Sequence, residues 1–195
     1  MTDITALLQQ IEQLSPESRA ALAEYVAFLR WREQQGAEAG PVWSYSFIET
    51  FGRAAVYATL NPAGMDVKMA PAVVGGETRP ALWAHPPVEG QAVIEYHVPV
   101  PENAGRLYLN VAVGIRDGAK IRPDNLVAFI VRVNGLRVWG RQTNAQTWQE
   151  TRIPITAPAG DIIRVEFVTE ALGDHQWTWA VWGKPELVGF QQHRA

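Results

Sequence analysis

Two hydrophobic periods divide this chain. From residue 4 to residue 34 the apolar positions recur at the helical spacing. Ile4, Leu7, Leu8, Ile11 and Leu14 fall on one face of a first helix, and Ala21, Leu22, Tyr25, Val26 and Leu29 on one stripe of a second, with Phe28 and Trp31 beside it. Between them, Leu14-Ser15-Pro16-Glu17 carries the start signals of the second helix. Ser15 is placed to cap free N–H groups, Pro16 suits the first turn, and Glu17 complements the positive end of the helix dipole. The pattern predicts a two-helix hairpin over residues 1–35. A lone pair of amphipathic helices leaves apolar surface wet, so residues 4–31 are expected to dock on the rest of the chain or to drive a homo-oligomer.

Residues 36–41 have linker composition, and beyond them the period changes to two. Ala92, Ile94, Tyr96 and Val98 share one strand face while Val93, Glu95 and His97 share the other. Leu107, Leu109, Val111 and Val113 alternate in the same way, as do Ile163, Val165 and Phe167. Asn134-Gly135 lies between two such runs, a strong hairpin signal because both residues tolerate positive φ. Turn residues at Asn61-Pro62, Gly75-Gly76, Pro86-Pro87, Asp117-Gly118, Ala159-Gly160 and Gly173-Asp174 separate roughly nine or ten short strands. The expected fold is mainly β: an antiparallel jelly-roll β-sandwich over residues 42–190, followed by a tail at 191–195, with Leu109, Val111, Ile130, Val165 and Phe167 facing its interior.

Composition narrows the function classes. The sequence has no cysteine, which excludes disulfides and thiolate chemistry. Residues 1–40 carry six acids and three bases, while the remainder holds fourteen of each sign. No basic stripe is present, so no nucleic acid is expected as partner. No apolar run reaches the ~20 residues a membrane span needs, and MTDITALLQQIEQL has no basic n-region. The expectation is a cytoplasmic protein with no membrane partner.

Two resemblances add to this reading. Leu14-Ser15-Pro16-Glu17 and the helix after it resemble the short helical hairpins that open many small bacterial antitoxin-like proteins. Over residues 79–190 the chain resembles the galactose-binding-like carbohydrate-binding modules of the NPCBM family, which are often attached to glycoside hydrolases. Gly114-Ile115-Arg116-Asp117 matches that family's first strand element. Val131-Arg132-Val133-Asn134-Gly135 matches its second, and Asp174-His175 with Trp179 its closing turn and tryptophan strand. The resemblance implies a β-sandwich and a non-catalytic carbohydrate-binding role, with Trp179 in the core.

Candidate site residues follow from chemistry. Trp177, Trp179 and Trp182 crowd six residues, either as core filler or as a platform on which a sugar ring stacks. If the strand runs unbroken, Trp177 and Trp179 point inward and Trp182 outward. Trp83 and His85 share a strand face that stops at Pro86-Pro87, where a histidine beside an indole could orient a polar ligand. With Trp148, Asp174, His175, Trp177 and Trp182, these two are the candidate ligand-binding residues, Trp179 being expected in the core. Glu95 and His97 have the geometry of a carboxylate–imidazole metal pair, and with His85 or His175 could form a jelly-roll metal centre. Asp117 and Asp124, in loops with free carbonyls, are candidates for a structural calcium, which would be the protein's only cofactor.

Three functions are consistent with these residues. One is a non-catalytic module binding carbohydrate. The second is an intracellular structural or protein-interaction protein that self-associates through its N-terminal helices. The third is a metal-dependent jelly-roll enzyme.

Overall fold

The computed structural model describes residues 11, 13–15, 18–19, 21–26 and 40–191. The chain divides into two compact units, residues 1–40 and 41–195. In the first unit, Ser15 Oγ accepts a hydrogen bond from the Ser18 N–H at 3.2 Å, the cap expected there, and leads into helical residues 18–19 and 21–26. The two-helix hairpin expected over residues 1–35 is not seen. Within residues 1–35 the described residues show one short helix, over 18–19 and 21–26, and a helical residue 11, while residues 1–10, 12, 16–17, 20 and 27–35 lie outside the described residues.

The second unit is mainly β. Its strands are β1 (Trp43–Ser46), β2 (Ala55–Ala58), β3 (Asp66–Val74), β4 (Glu77–His85), β5 (Gln91–Pro99) and β6 (Arg106–Ile115). Then follow β7 (Val127–Val133), β8 (Leu136–Thr143), β9 (Gln149–Ile155), β10 (Ile162–Ala171) and β11 (Ala180–Phe190). All pairings are antiparallel and form two sheets. A six-stranded sheet has the order β3-β4-β11-β6-β9, with β1 also on β11. A five-stranded sheet has the order β2-β5-β10-β7-β8. The period-two pattern produces this arrangement, because each strand must bury one face against the other sheet. Asn134 and Gly135 form the two-residue β7–β8 turn with φ of 50° and 82°, as the sequence requires.

The main core fills the space between the sheets. Leu109, Val111, Val165 and Phe167 all face it, as the alternation predicts. Ile130 does not. It is buried with Val93, Ala128 and Val168 in a separate cluster, while Phe129 and Val131 point into the main core. Because β7 is apolar on both faces, periodicity could not say which face was inner.

The outward placement of Trp182 is also corrected. Trp182 is 0% exposed, with its ring 5.3 Å from Phe129 and 5.1 Å from Phe167. The reason lies just upstream. Trp177 has φ of 65°, and regular pairing begins only at Ala180. The alternation therefore restarts there, putting Ala180 and Trp182 inward and Val181 outward.

The outer face of the six-stranded sheet carries a second, smaller core. Ala72, Val74, Ala81 and Val181 are buried on it, under the half-buried Trp83 and Trp148. The tip of the β3–β4 hairpin lies across β6 and the residues before β9. A Cβ on Gly114 would meet Val74 Cγ1 at 2.8 Å, and one on Gly183 would meet the Trp148 ring at 2.7 Å. Both positions need glycine for this close approach. The tip is held by Asp117, whose two carboxylate oxygens accept the Gly75 and Gly76 N–H groups, each at 2.8 Å. Trp148 Nε1 donates to Glu77 O at 3.1 Å.

Candidate functional site

At the end of the six-stranded sheet where β3 and β11 begin and β4 and β6 finish, a recess of about 200 Å3 is lined by Asp66, Trp83, His85, Arg116, Trp179 and Ala180. Each side chain arrives by simple geometry. Trp83 and His85 lie two apart on the outward face of β4, and Asp66 pairs in register with His85. Arg116 follows the last residue of β6, and its N–H donates to Trp179 O at 3.0 Å.

The segment between β10 and β11 forms one wall, and hydrogen bonds fix it throughout. Leu172 N–H donates to Leu126 O at 2.9 Å, Gln176 N–H to Asp174 Oδ1 at 2.9 Å, and Thr178 N–H to His175 O at 3.3 Å. Asn125 Nδ2 donates to Asp174 O. The Trp177 and Trp179 rings are tilted at 45° with centroids 5.1 Å apart, and both pack partly against the main core.

His85 Nδ1 lies 2.8 Å from Thr178 O. A carbonyl only accepts, so Nδ1 carries the proton and Nε2 is the acceptor of the neutral ring. Burial holds the His85 pKa below its ordinary value, and the neighbouring His175 ring, 6.2 Å away, acts in the same direction. Asp66 holds Lys68 at 2.6 Å. Arg116 lies over Trp83, its guanidinium carbon 3.4 Å from the ring centroid and 5.2 Å from that of Trp179. Lys68 Nζ adds a second cation 4.3 Å from the Trp83 centroid. Trp83 is therefore not a bare stacking platform. The indoles form walls, and the polar groups face the space between them.

The other sequence candidates are placed as follows. Trp148 covers the sheet beside Gly183 and lines neither this recess nor the groove described below. His175 adjoins His85, and Trp177 backs Trp179. Asp174 and Asp124 border a separate hollow of about 140 Å3 with Arg122 and Asn125. Trp182, buried in the core, is removed from the candidate ligand contacts. Asp117 is engaged by the β3–β4 turn, and Asp124 accepts from Arg122 at 3.0 and 3.1 Å. These two carboxylates have their donors in different loops and do not converge. Among the described residues no group of three or more histidine or acidic side chains is placed to hold a metal. Glu95 accepts from Tyr57 and contacts His97 at 3.0 Å on the outer face of the five-stranded sheet, so it does not meet His85 or His175.

Sequence reasoning missed Asp66 and Arg116, and it read Trp179 as a core residue, whereas Trp179 is half-buried and lines the recess. Arg116 was read only as part of a strand-ending motif, and its partners come from β3, β4 and the segment before β11. A broader groove of about 430 Å3 crosses the same sheet between Arg79, Asn110, Glu150, Arg152 and Glu186. It has no aromatic lining, and Arg79 is already paired with Glu77 at 2.6 Å and Glu150 at 2.9 Å. The aromatic recess is the better candidate for recognition.

No protein-family model matches the chain, and no curated protein matches it by sequence. Solved structures do match. One holds the CBM51-2 carbohydrate-binding module and INT domains of Clostridium perfringens ZmpB, in complex with GlcNAc. It has a TM-score of 0.54 and 13% identity, over 77% of this chain and 32% of that one. Another is the CBM51 of a Clostridium perfringens GH95 protein in complex with methyl-galactose, at TM-score 0.49 and 17% identity, over 74% of this chain and 99% of that one. A family 35 carbohydrate-binding module from Clostridium thermocellum matches at TM-score 0.44 and 13% identity, over 75% of this chain and 98% of that one. The β-sandwich fold is thus shared with a carbohydrate-binding module. This chain spans 32% of the first of these structures.

Proposed function

We propose that the β-sandwich is a non-catalytic module that binds carbohydrate in the recess between Trp83 and Trp179. The observation that carries this reading is the convergence there of two indole walls with the polar atoms of Asp66, His85 and Arg116. Sugars use such a combination, a few fixed donors and acceptors for hydroxyls beside apolar surface, here the parts of the indoles that Arg116 and Lys68 leave uncovered. The fold shared with CBM51-2, a module solved with GlcNAc, supports it. A single small recess gains little net energy per hydrogen bond, so affinity in the millimolar to high-micromolar range is expected, roughly 4–6 kcal/mol. The test is titration of the full chain with GlcNAc and methyl-galactose, followed by NMR shifts of the tryptophan side chains. Saturable shifts at Trp83 and Trp179, lost in Asp66→Asn, support the reading. Flat titrations with neutral and with acidic monosaccharides, carried to tens of millimolar sugar, overturn it.

A second reading, an intracellular interaction protein that self-associates through residues 4–31, is supported by the exposure of Tyr25 (58%) and Val26 (38%) on the described helix. Light scattering of the full chain and of a chain lacking residues 1–38 tests it. A mass that drops from oligomer to monomer on truncation supports self-association, and an unchanged subunit count removes it.

A further inference from the structure

The recess contains a cation that no anion pairs directly. Among the described residues the Arg116 side chain makes no hydrogen bond or ion pair, and its Nε is buried without a partner. Its only partners there are the faces of Trp83 and Trp179. Stacking of this kind satisfies the flat face of a guanidinium and leaves its in-plane N–H groups free. Those groups form a rigid fork that matches a planar carboxylate bidentately.

We infer that the ligand of this recess is an acidic monosaccharide unit, a uronate, whose carboxylate is taken by Arg116 while its hydroxyls reach Asp66 and His85. This rests on the carbohydrate reading above and names its substrate class.

Three further observations fit a uronate over other ligands. First, the charges at the recess sum to one net positive. Lys68 and Asp66 neutralise each other at 2.6 Å and the buried His85 ring favours its neutral form, which leaves Arg116 for one monoanion. Second, the Asp66 carboxylate is close enough for its charge to act on Arg116, so it would oppose a dianionic phosphate more than a singly charged group. Third, the recess, at about 200 Å3, is smaller than pockets for drug-sized ligands and suits one ring carrying its own charge. The indole packing also holds Arg116 in place before the ligand arrives. Burial lowers its pKa, the Asp66 charge offsets part of that, and a ligand anion paired directly with the guanidinium would offset more.

The experiment is calorimetric titration of the full chain with the methyl glycosides of glucuronate and glucose, which differ only at the carboxylate, and with a sulfated glucoside as third arm. The uronate should bind at least about tenfold more tightly than the neutral sugar at low salt, the scale of a charge-assisted bidentate pair. That preference should shrink as salt is added. In Arg116→Gln it should collapse, and in Arg116→Lys, which keeps the charge without the fork, it should fall between the two. If an Arg116 variant does not fold, the salt dependence of the unmodified protein still decides. Equal affinity for uronate and neutral sugar, insensitive to salt, overturns this inference and leaves the carbohydrate reading standing. A sulfated sugar that binds better than the uronate overturns the carboxylate assignment. Absence of binding by all three overturns the carbohydrate reading as well.

Discussion

The rings of Trp182 and Phe167 lie 5.1 Å apart at 64°, an edge-on contact that joins the central strand of one sheet to the central strand of the other. The contact is entirely dry, and the Trp182 Nε1–H finds no acceptor among the described residues. Trp182→Ala should therefore lower the unfolding free energy by about 3–5 kcal/mol, through lost burial and the cavity left behind. Trp182→Phe should cost clearly less, because it removes a buried donor that has no partner. Urea denaturation of both variants checks this. Equal losses would mean that the indole N–H is satisfied in solution.

Asp117 acts as a clasp. Its carboxylate receives two backbone N–H groups from a turn that local sequence alone would leave free. Asp117→Ala should destabilise the domain by about 1–3 kcal/mol, and Asp117→Asn by less, since one oxygen remains. Because both oxygens are occupied, adding calcium or a chelator should leave the melting temperature of the unmodified protein unchanged. A calcium-dependent rise would show that this carboxylate has another partner.

His85 predicts a pH dependence with a definite sign. Its folded-state pKa lies below the unfolded value near 6.5, first because it is buried. Between those two values the unfolded chain binds more protons than the folded one, so stability falls as pH drops. The contribution is complete above pH ~6.5 and is lost as pH descends through the folded-state value. His85→Asn keeps a donor near the Nδ1 position for Thr178 O and removes the titration. Its melting temperature should fall less than that of the unmodified protein between pH 7 and pH 5. Parallel curves would count against a buried neutral imidazole.

Gly114 and Val74 should behave as a coupled pair. Gly114→Ala places a methyl 2.8 Å from Val74 Cγ1 and 3.2 Å from Thr147 O, so the hairpin tip must shift. The expected cost is about 1–3 kcal/mol. Adding Val74→Ala makes room on one side, and the double variant should recover part of that loss. Strict additivity of the two substitutions would show that the clash is relieved elsewhere.

What could be read in advance followed the range of the interactions involved. Asn134-Gly135 specifies its turn from two adjacent residues, and the alternation of Leu109 with Val111 and of Val165 with Phe167 specifies their faces. Ile130 was misplaced because β7 buries both faces, so alternation carries no sign there. Trp182 was misplaced because a left-handed backbone at Trp177 resets the strand phase, and nothing about a tryptophan announces that conformation. Trp83 and His85 were legible as a pair on one strand. Asp66 and Arg116 were not, since the contacts that give them meaning are made across strands far apart in sequence.

The hydrogen-bonded wall between β10 and β11 has a kinetic and entropic consequence. A ligand entering the recess meets a segment whose turns are already closed, so the ~0.5–1.5 kcal/mol that each side chain costs to immobilise has been met during folding. Association then waits on encounter and orientation rather than on the closing of a lid. The same rigidity sets an upper bound on selectivity by size: a ligand larger than the recess gains nothing from loop movement, and discrimination falls to the few atoms that touch fixed groups.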